Sequence, residues 1–249
     1  SCFNGVDGHV AAVPAGGVTP YHYLWTTFDI DSAVYGLGAG KYTVQLTDSN
    51  GCFTYDSLTL TQPTEISISG VGTDAICFGA STASIDITVT GGTPTYTYVW
   101  SNGPVTEDNQ NIPADTYTVT VSDANSCQKT ASFTVGEGVE ILAEIGTFNP
   151  ICNGGNTGSA TALVSGGDGP YSYAWNTNPP QTTVSINGLG ANVYVLTVTD
   201  SKNCSVTATA TLTEPAPITI TTNATGSNCF NTSTGQVTLS TSGGTAPYN

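Results

Sequence analysis

Short runs in which apolar and polar residues alternate dominate the chain. Residues 84–89 place Ile85, Ile87 and Val89 on one side. Residues 117–122 do so with Tyr117, Val119 and Val121, and residues 130–135 with Ala131, Phe133 and Val135. A period of two puts alternate side chains on one face of a strand. Ile66-Ser67-Ile68 opens this series, and Tyr96-Thr97-Tyr98-Val99-Trp100 lies inside it. Gly91-Gly92 and Asn102-Gly103 mark turns between the runs. No stretch sustains a 3.6-residue period. Short alternating strands with a turn about every ten residues predict an all-β, immunoglobulin-like sandwich.

The same pattern recurs. Trp25, Trp100 and Trp175 are spaced by 75 and 75, as are Cys2, Cys77 and Cys152, with Cys229 a further 77 along. Gly16-Gly17 returns as Gly91-Gly92, Gly166-Gly167 and Gly243-Gly244. The two extra residues fall between Trp175 and Tyr194, in a connection where insertions are tolerated. Fixed periods of this kind indicate an array of like units. The repeats are 1–62 (lacking its first strand), 63–137, 138–214 and 215–249 (the start of a fourth). Linkers of two to four residues join them, two carrying Pro, so we expect the sandwiches to stack end to end as a semi-rigid rod. The missing initiator Met and the break inside a repeat are what a segment of a longer chain would show.

Two aromatic devices recur. Tyr21, Tyr23 and Trp25 share one face of a strand, as do Tyr96, Tyr98 and Trp100, and Tyr171, Tyr173 and Trp175. We expect Trp25, Trp100 and Trp175 in the cores, since large aromatics carry much of the burial in a small sandwich. The rival reading is an exposed platform for stacking sugars. Tyr42, Tyr117 and Tyr194 each follow a short turn and match a tyrosine corner, which makes them core residues too. Gly40, Asp115 and Asn192, two before each Tyr, are expected to take a left-handed backbone.

Composition narrows the function. The chain has 249 residues, with Lys+Arg 3 against Asp+Glu 18, a net charge of −15 and a pI near 4.1. Without a basic face it lacks the means to bind phosphate backbones, which argues against nucleic acid, and against anionic lipid as well. Its longest apolar runs are too short to span a bilayer, so no membrane insertion is expected. Only 8% of residues are charged. Polarity comes from hydroxyls instead, with 43 Thr, a residue that favours strands.

Seven cysteines follow the repeats. Cys2 to Cys52 and Cys77 to Cys127 span 50 residues, and Cys152 to Cys204 spans 52. Pairing within each repeat would staple a thin core, and Cys229 would then find its partner beyond the chain. The alternative joins Cys52 to Cys77 and its equivalents across a linker, with a constant step of 25. Either pattern points to an extracytoplasmic setting. No CxxC pair is present, and the two His are confined to the first repeat.

Asp48, Asp123 and Asp200 recur beside the second Cys of each repeat. They are candidate calcium ligands, or else Asx turns that bond their own backbone. Apart from that calcium reading, no cofactor is expected. Asn203-Cys204-Ser205, Asn223-Ala224-Thr225 and Asn231-Thr232-Ser233 fit the N-glycan sequon. No acid, base or nucleophile set recurs between repeats, which argues against an enzyme.

Taken together, Gly-Gly-x-x-x-Tyr-x-Tyr-x-Trp followed by Leu-x-Ala-Gly-x-Tyr-x-Val-x-Leu-x-Asp-x-Asn-Gly-Cys resembles the SprB-type repeat of Bacteroidota cell-surface adhesins. The pieces are Gly16 to Trp25 with Leu37 to Cys52, then Gly91 to Trp100 with Ile112 to Cys127, then Gly166 to Trp175 with Leu189 to Cys204. The resemblance implies a very long filament exported by type IX secretion to the outer-membrane surface. It would serve adhesion and gliding motility. Its partners would be neighbouring repeats of the same chain, other copies in a filament, or surface glycans. It also implies O-glycosylation at Ser32 and Ser57, in Asp31-Ser32-Ala33 and Asp56-Ser57-Leu58. On this basis the chain is a structural stalk segment. The alternative is a carbohydrate-binding adhesive module with exposed aromatics.

Overall fold

The computed structural model describes residues 1–231 and 233–248, so the middle residue of the third sequon lies outside the described residues. The chain forms two compact units. The first holds residues 1–75 and 80–136, the second residues 76–79 and 137–249. All regular elements among the described residues are strands.

In the first unit, β1 (Gly8–Ala11), β2 (His22–Trp25), β3 (Ala33–Leu37), β4 (Gly40–Thr47) and β5 (Phe53–Leu60) form one sandwich, with sheets β1-β3 and β2-β4-β5. A second sandwich follows. Its strands are β6 (Ser67–Thr73), β7 (Ala83–Thr90), β8 (Thr97–Trp100), β9 (Asn109–Ile112), β10 (Asp115–Ser122) and β11 (Gln128–Val135). They make sheets β6-β7-β9 and β8-β10-β11, all antiparallel. This is an immunoglobulin-like strand order with one edge strand omitted.

The second unit repeats the plan with β12 (Ile141–Phe148), β13 (Gly158–Gly166), β14 (Ser172–Trp175), β15 (Ser185–Leu189), β16 (Asn192–Thr199) and β17 (Ser205–Leu212). Its sheets are β12-β13-β15 and β14-β16-β17. A final hairpin pairs β18 (Thr219–Thr225) with β19 (Gln236–Ser242).

Each sandwich closes on its own core, built by the alternation seen in the sequence. Trp100, Ile85, Ile87, Val119 and Val121 are buried together, as are Trp175, Leu196, Val198 and Ile186 in the second unit. Trp25, Val10, Val34 and Val44 form the smallest cluster. Each Trp ring nitrogen donates to a carbonyl of the connection after its strand: Trp25 to Asp31, Trp100 to Thr106, Trp175 to Thr183. That satisfies the one polar atom of a buried indole.

β9 is a polar strand, Asn-Gln-Asn-Ile, that hydrophobic alternation does not reveal. Its Asn109 is fully buried and exchanges amide hydrogen bonds with Asn102 at 2.9 and 3.3 Å. The connection 101–108 carries the chain back along the sandwich without forming a strand. This omission sets which loops share an end. The pairs Ser122↔Gln128 and Ser122↔Thr97 put the β10–β11 hairpin at the end where β8 begins. The pairs Thr73↔Ser84 and Ser67↔Thr90 put the β6–β7 loop at the opposite end. Along an eight-residue strand the two ends are about 25 Å apart.

Cys77 sits in that β6–β7 loop and Cys127 in the β10–β11 hairpin. A disulfide needs Cα atoms roughly 4.4–6.8 Å apart, so the expected Cys77–Cys127 bond cannot form. Nor do the expected Cys2–Cys52 and Cys152–Cys204 bonds, whose cysteines occupy the same two places in their own repeats. The structure pairs Cys2 with Cys127 and Cys77 with Cys204, each at a Cα separation of 5.5 Å. The alternative pairing of Cys52 with Cys77 is equally absent. Cys52 and Cys152 are free thiols and exposed.

The expected left-handed positions are also displaced. Gly40, Asp115 and Asn192 have ordinary φ; the left-handed residues are Gly36, Asn111 and Gly188, four positions earlier. Asp115 and Asn192 instead accept the next residue's amide at 2.7 and 2.8 Å.

Candidate functional site: the repeat junctions

The chemistry that recurs lies where one repeat meets the next. Three elements build each junction: the loop after the first strand, the hairpin before the last strand, and the glycine pair.

The hairpin is organised by one aspartate. Asp123 Oδ1 accepts from the amides of Asn125 and Cys127, both at 2.9 Å, and Oδ2 accepts from Thr93 at 2.8 Å. Asp48 does the same for Asn50, Cys52 and Val18, and Asp200 for Lys202, Cys204 and Asp168. The amides hold all three carboxyls below their usual pKa. For Asp48 the Cys52 amide is the main cause, for Asp123 the Thr93 amide. At Asp200 burial is the largest influence and pushes upward, but the three amides and the Lys202 charge together outweigh it. Both oxygens of each carboxylate are therefore occupied by backbone donors that fix the cysteine's position. Among the described residues, no three His, Cys, Asp or Glu side chains converge on a metal-sized site.

The loop is clasped by its own repeat's last residues. Glu137 accepts from the Gly79 amide at 2.6 Å, Glu214 from Gly154 at 2.8 Å, and Gln62 from Asn4 at 2.9 Å. The donors Asn4, Gly79 and Gly154 all have positive φ, which points their amides at the linker. Hence Cys2 and Cys77 stand on a loop tied to the segment that leaves the repeat.

The glycine pair receives the chain coming into the next repeat. The Gly92 amide donates to the Thr64 carbonyl at 2.8 Å and Gly167 to Glu140 at 3.1 Å. A Cβ on Gly91 would lie 1.9 Å from the Glu65 oxygen, and one on Gly166 2.0 Å from that of Glu140. Only glycine permits so close a crossing. Tyr96 and Tyr171 cap the turn by donating to the carbonyls of Gly91 and Gly166.

In the first unit these parts converge on the bond Cys2–Cys127. Cys127 Sγ lies 3.9 Å from the Ser1 carbonyl, which accepts from Asn125 Nδ2 at 3.3 Å. Lys129 meets Glu65 at 2.7 Å alongside. In the second unit Cys77 bonds Cys204, whose sulfur is 3.7 Å from the Ile76 carbonyl, and Lys202 meets Asp168 at 2.9 Å. Cys77 itself packs on the Trp175 core cluster.

The other predicted residues fall as follows. Trp25, Trp100 and Trp175 are 5%, 2% and 2% exposed. Tyr117 and Tyr194 are buried and Tyr42 half-buried; their hydroxyls donate to the carbonyls of Pro113, Gly190 and Gly38, four residues back, which is the tyrosine corner. Ser32 and Ser57 are exposed, as are Asn203 and Asn223. Among the described residues, exposed aromatic pairs occur only in the first repeat: His9 stacked on Tyr35 at 5.6 Å, and Phe53 against Tyr55 at 5.9 Å. Sequence reading missed the linker clasp, although Gln62, Glu137 and Glu214 recur at the register of the repeats.

The folds and junctions define a tandem array of immunoglobulin-like repeats. A family model described as "SprB repeat" matches residues 1–29, 69–105, 147–180 and 219–249, together just over half of the chain. The chain belongs to the SprB repeat family. No curated protein matches it. Among solved structures it is similar to the N-terminal eight Ig domains of Down Syndrome Cell Adhesion Molecule isoform 1.30.30, at 14% identity and a TM-score of 0.39. That match covers 96% of this chain and 40% of the other, so the present chain spans two fifths of that structure. It is also similar to a complex of Dpr2 Ig1-Ig2 with DIP-Theta Ig1-Ig3, at 12% identity and a TM-score of 0.28, covering 78% and 89%. No helix among the described residues is long and apolar enough to cross a membrane.

Proposed function

We propose that the chain is a stalk segment of a long secreted cell-surface adhesin, and that its task is mechanical: to hold an adhesive part away from the cell in a gliding bacterium of the Bacteroidota. The observation that carries this reading is the chemistry of the junctions. In a binding module, recurrent polar residues converge on a ligand. Here they are spent on joining one repeat to the next: the aspartate that sets the hairpin cysteine, the linker acid that sets the loop, and the glycine pair that seats the incoming chain. The recurrent Trp25, Trp100 and Trp175 are buried in the cores, which favours a stalk over a sugar-stacking platform. Type IX export, outer-membrane attachment and O-glycosylation at Ser32 and Ser57 belong to the same reading, through the family. So does the absence of enzymatic activity.

Removing two whole repeats in frame from the parent gene tests it. A stalk predicts surface projections shorter by the length of two repeats in electron micrographs, with unchanged adhesive specificity. Loss of binding to a particular glycan, with no change in projection length, would favour a carbohydrate-binding module instead.

A further inference from the structure

The two disulfides interleave along the chain in the order Cys2, Cys77, Cys127, Cys204. Cys2 with Cys127 forms one covalent node, and Cys77 with Cys204 forms another. Three separate stretches of backbone join these nodes: 75 residues from Cys2 to Cys77, 50 from Cys77 to Cys127, and 77 from Cys127 to Cys204.

We propose that this interleaving gives the array a second function as a fail-safe tether, which survives backbone cleavage and limits its own extension. Breaking any one stretch, or any two, leaves the other route intact, so separation requires a cut in all three. Under tension the shortest stretch becomes taut first. The 202 residues from Cys2 to Cys204 can then lengthen by no more than the 50 of the middle stretch allow. At about 3.4 Å per residue that is roughly 170 Å in place of roughly 690 Å. The connections at 26–32, 101–107 and 176–183 are largely exposed, and each lies in a different stretch. Pairing within repeats, or across linkers, would not give three parallel routes. The proposal rests on the stalk reading for its use only; the test reads covalent connectivity and does not depend on adhesion.

The experiment places a site-specific protease sequence in each of these three connections, singly and together, in the oxidised chain. The connection in the third repeat already carries two extra residues, so the position accepts insertion. After cleavage, denaturing electrophoresis without reductant should show one covalent molecule for every single and double cut. The triple cut should give two pieces, each of two disulfide-linked fragments, and four fragments after reduction. Separation after a single cut overturns the proposal, and so does a triple cut that stays in one piece, the result of pairing within repeats. A second measurement leaves the loops untouched. In single-molecule pulling of a Cys52→Ser, Cys152→Ser variant, the stretch between Cys2 and Cys204 should release about 50 residues when oxidised and about 200 when reduced. Release of about 150 residues when oxidised, the value for a lone Cys77–Cys127 bond, contradicts it.

Discussion

Cys77 is bonded to Cys204, 127 residues along the chain, and not to Cys127, the other cysteine of its own repeat. The reason is topological. β8 and β9 run in the same direction, joined by the connection 101–108, so β10 ends at the opposite end of the sandwich from the one where β7 begins. The two cysteines of a repeat therefore face outward from opposite ends. Each is positioned for a neighbour, and the disulfide that would have stabilised one fold instead joins two.

Trp100 anchors the second repeat, at 2% exposure and with its ring nitrogen bonded to Thr106. Trp100→Ala should cost that repeat about 3–5 kcal/mol, since a core of this size cannot collapse around the space left. Urea denaturation followed by limited proteolysis should place the first new cleavages between residues 77 and 127. The third repeat should keep its protection, because Trp175, Ile186, Leu196 and Val198 form a core of its own.

Tyr117 offers a narrower test. Its hydroxyl donates to the Pro113 carbonyl at 3.0 Å from a buried ring. Tyr117→Phe keeps the packing and removes the bond, so a loss of about 0.5–1.5 kcal/mol is expected by chemical denaturation.

The glycine pair separates steric from conformational cost. Gly16 and Gly91 occupy equivalent positions with φ of +80° and +77°, but nothing lies within 4 Å of a Cβ on Gly16, whereas one on Gly91 meets the Glu65 oxygen at 1.9 Å. Gly16→Ala should cost about 1–2 kcal/mol for the left-handed backbone alone. Gly91→Ala should cost distinctly more, because the incoming segment at Thr64 and Glu65 must move. Equal losses in thermal melts would show that the close crossing does not form.

The hairpin aspartates set the acid limit of stability. Asp48, Asp123 and Asp200 have folded pKa values below their usual one near 4. A depressed carboxyl contributes stability that is fully present above the unfolded pKa and is lost as pH falls through the folded value. Melting temperature should therefore hold steady from neutral pH to about pH 5 and drop below about pH 4. Asp123→Asn should melt lower at neutral pH and show a shallower acid decline. An acid decline as steep as that of the parent chain would mean that Asp123 does not carry the effect.

Much of this architecture was legible in the sequence because it is written in periodic signals. The two-residue alternation marked β7, β10 and β11, the 75-residue period marked the sandwiches, and the position of Tyr117 after its turn marked the corner. β9 was not legible, because its stability comes from the Asn102–Asn109 amide pair and not from an apolar stripe. Missing that strand hid the return crossing before it, and with it the end of the sandwich on which each cysteine lies. The left-handed residue was misplaced for a related reason. Asn111 and Gly188 sit inside β9 and β15, while Asp115 and Asn192 act through their side chains. Residue type alone does not distinguish these two uses.

Disulfide mapping of the oxidised chain bears most directly on the account. After proteolysis without reductant and with free thiols blocked, mass spectrometry should recover the peptide of Cys2 linked to that of Cys127 and the peptide of Cys77 linked to that of Cys204, with Cys52 and Cys152 in blocked form. Recovery of Cys77 linked to Cys127 would return the staples to the interior of single repeats. It would contradict both the junction chemistry and the tether built on it.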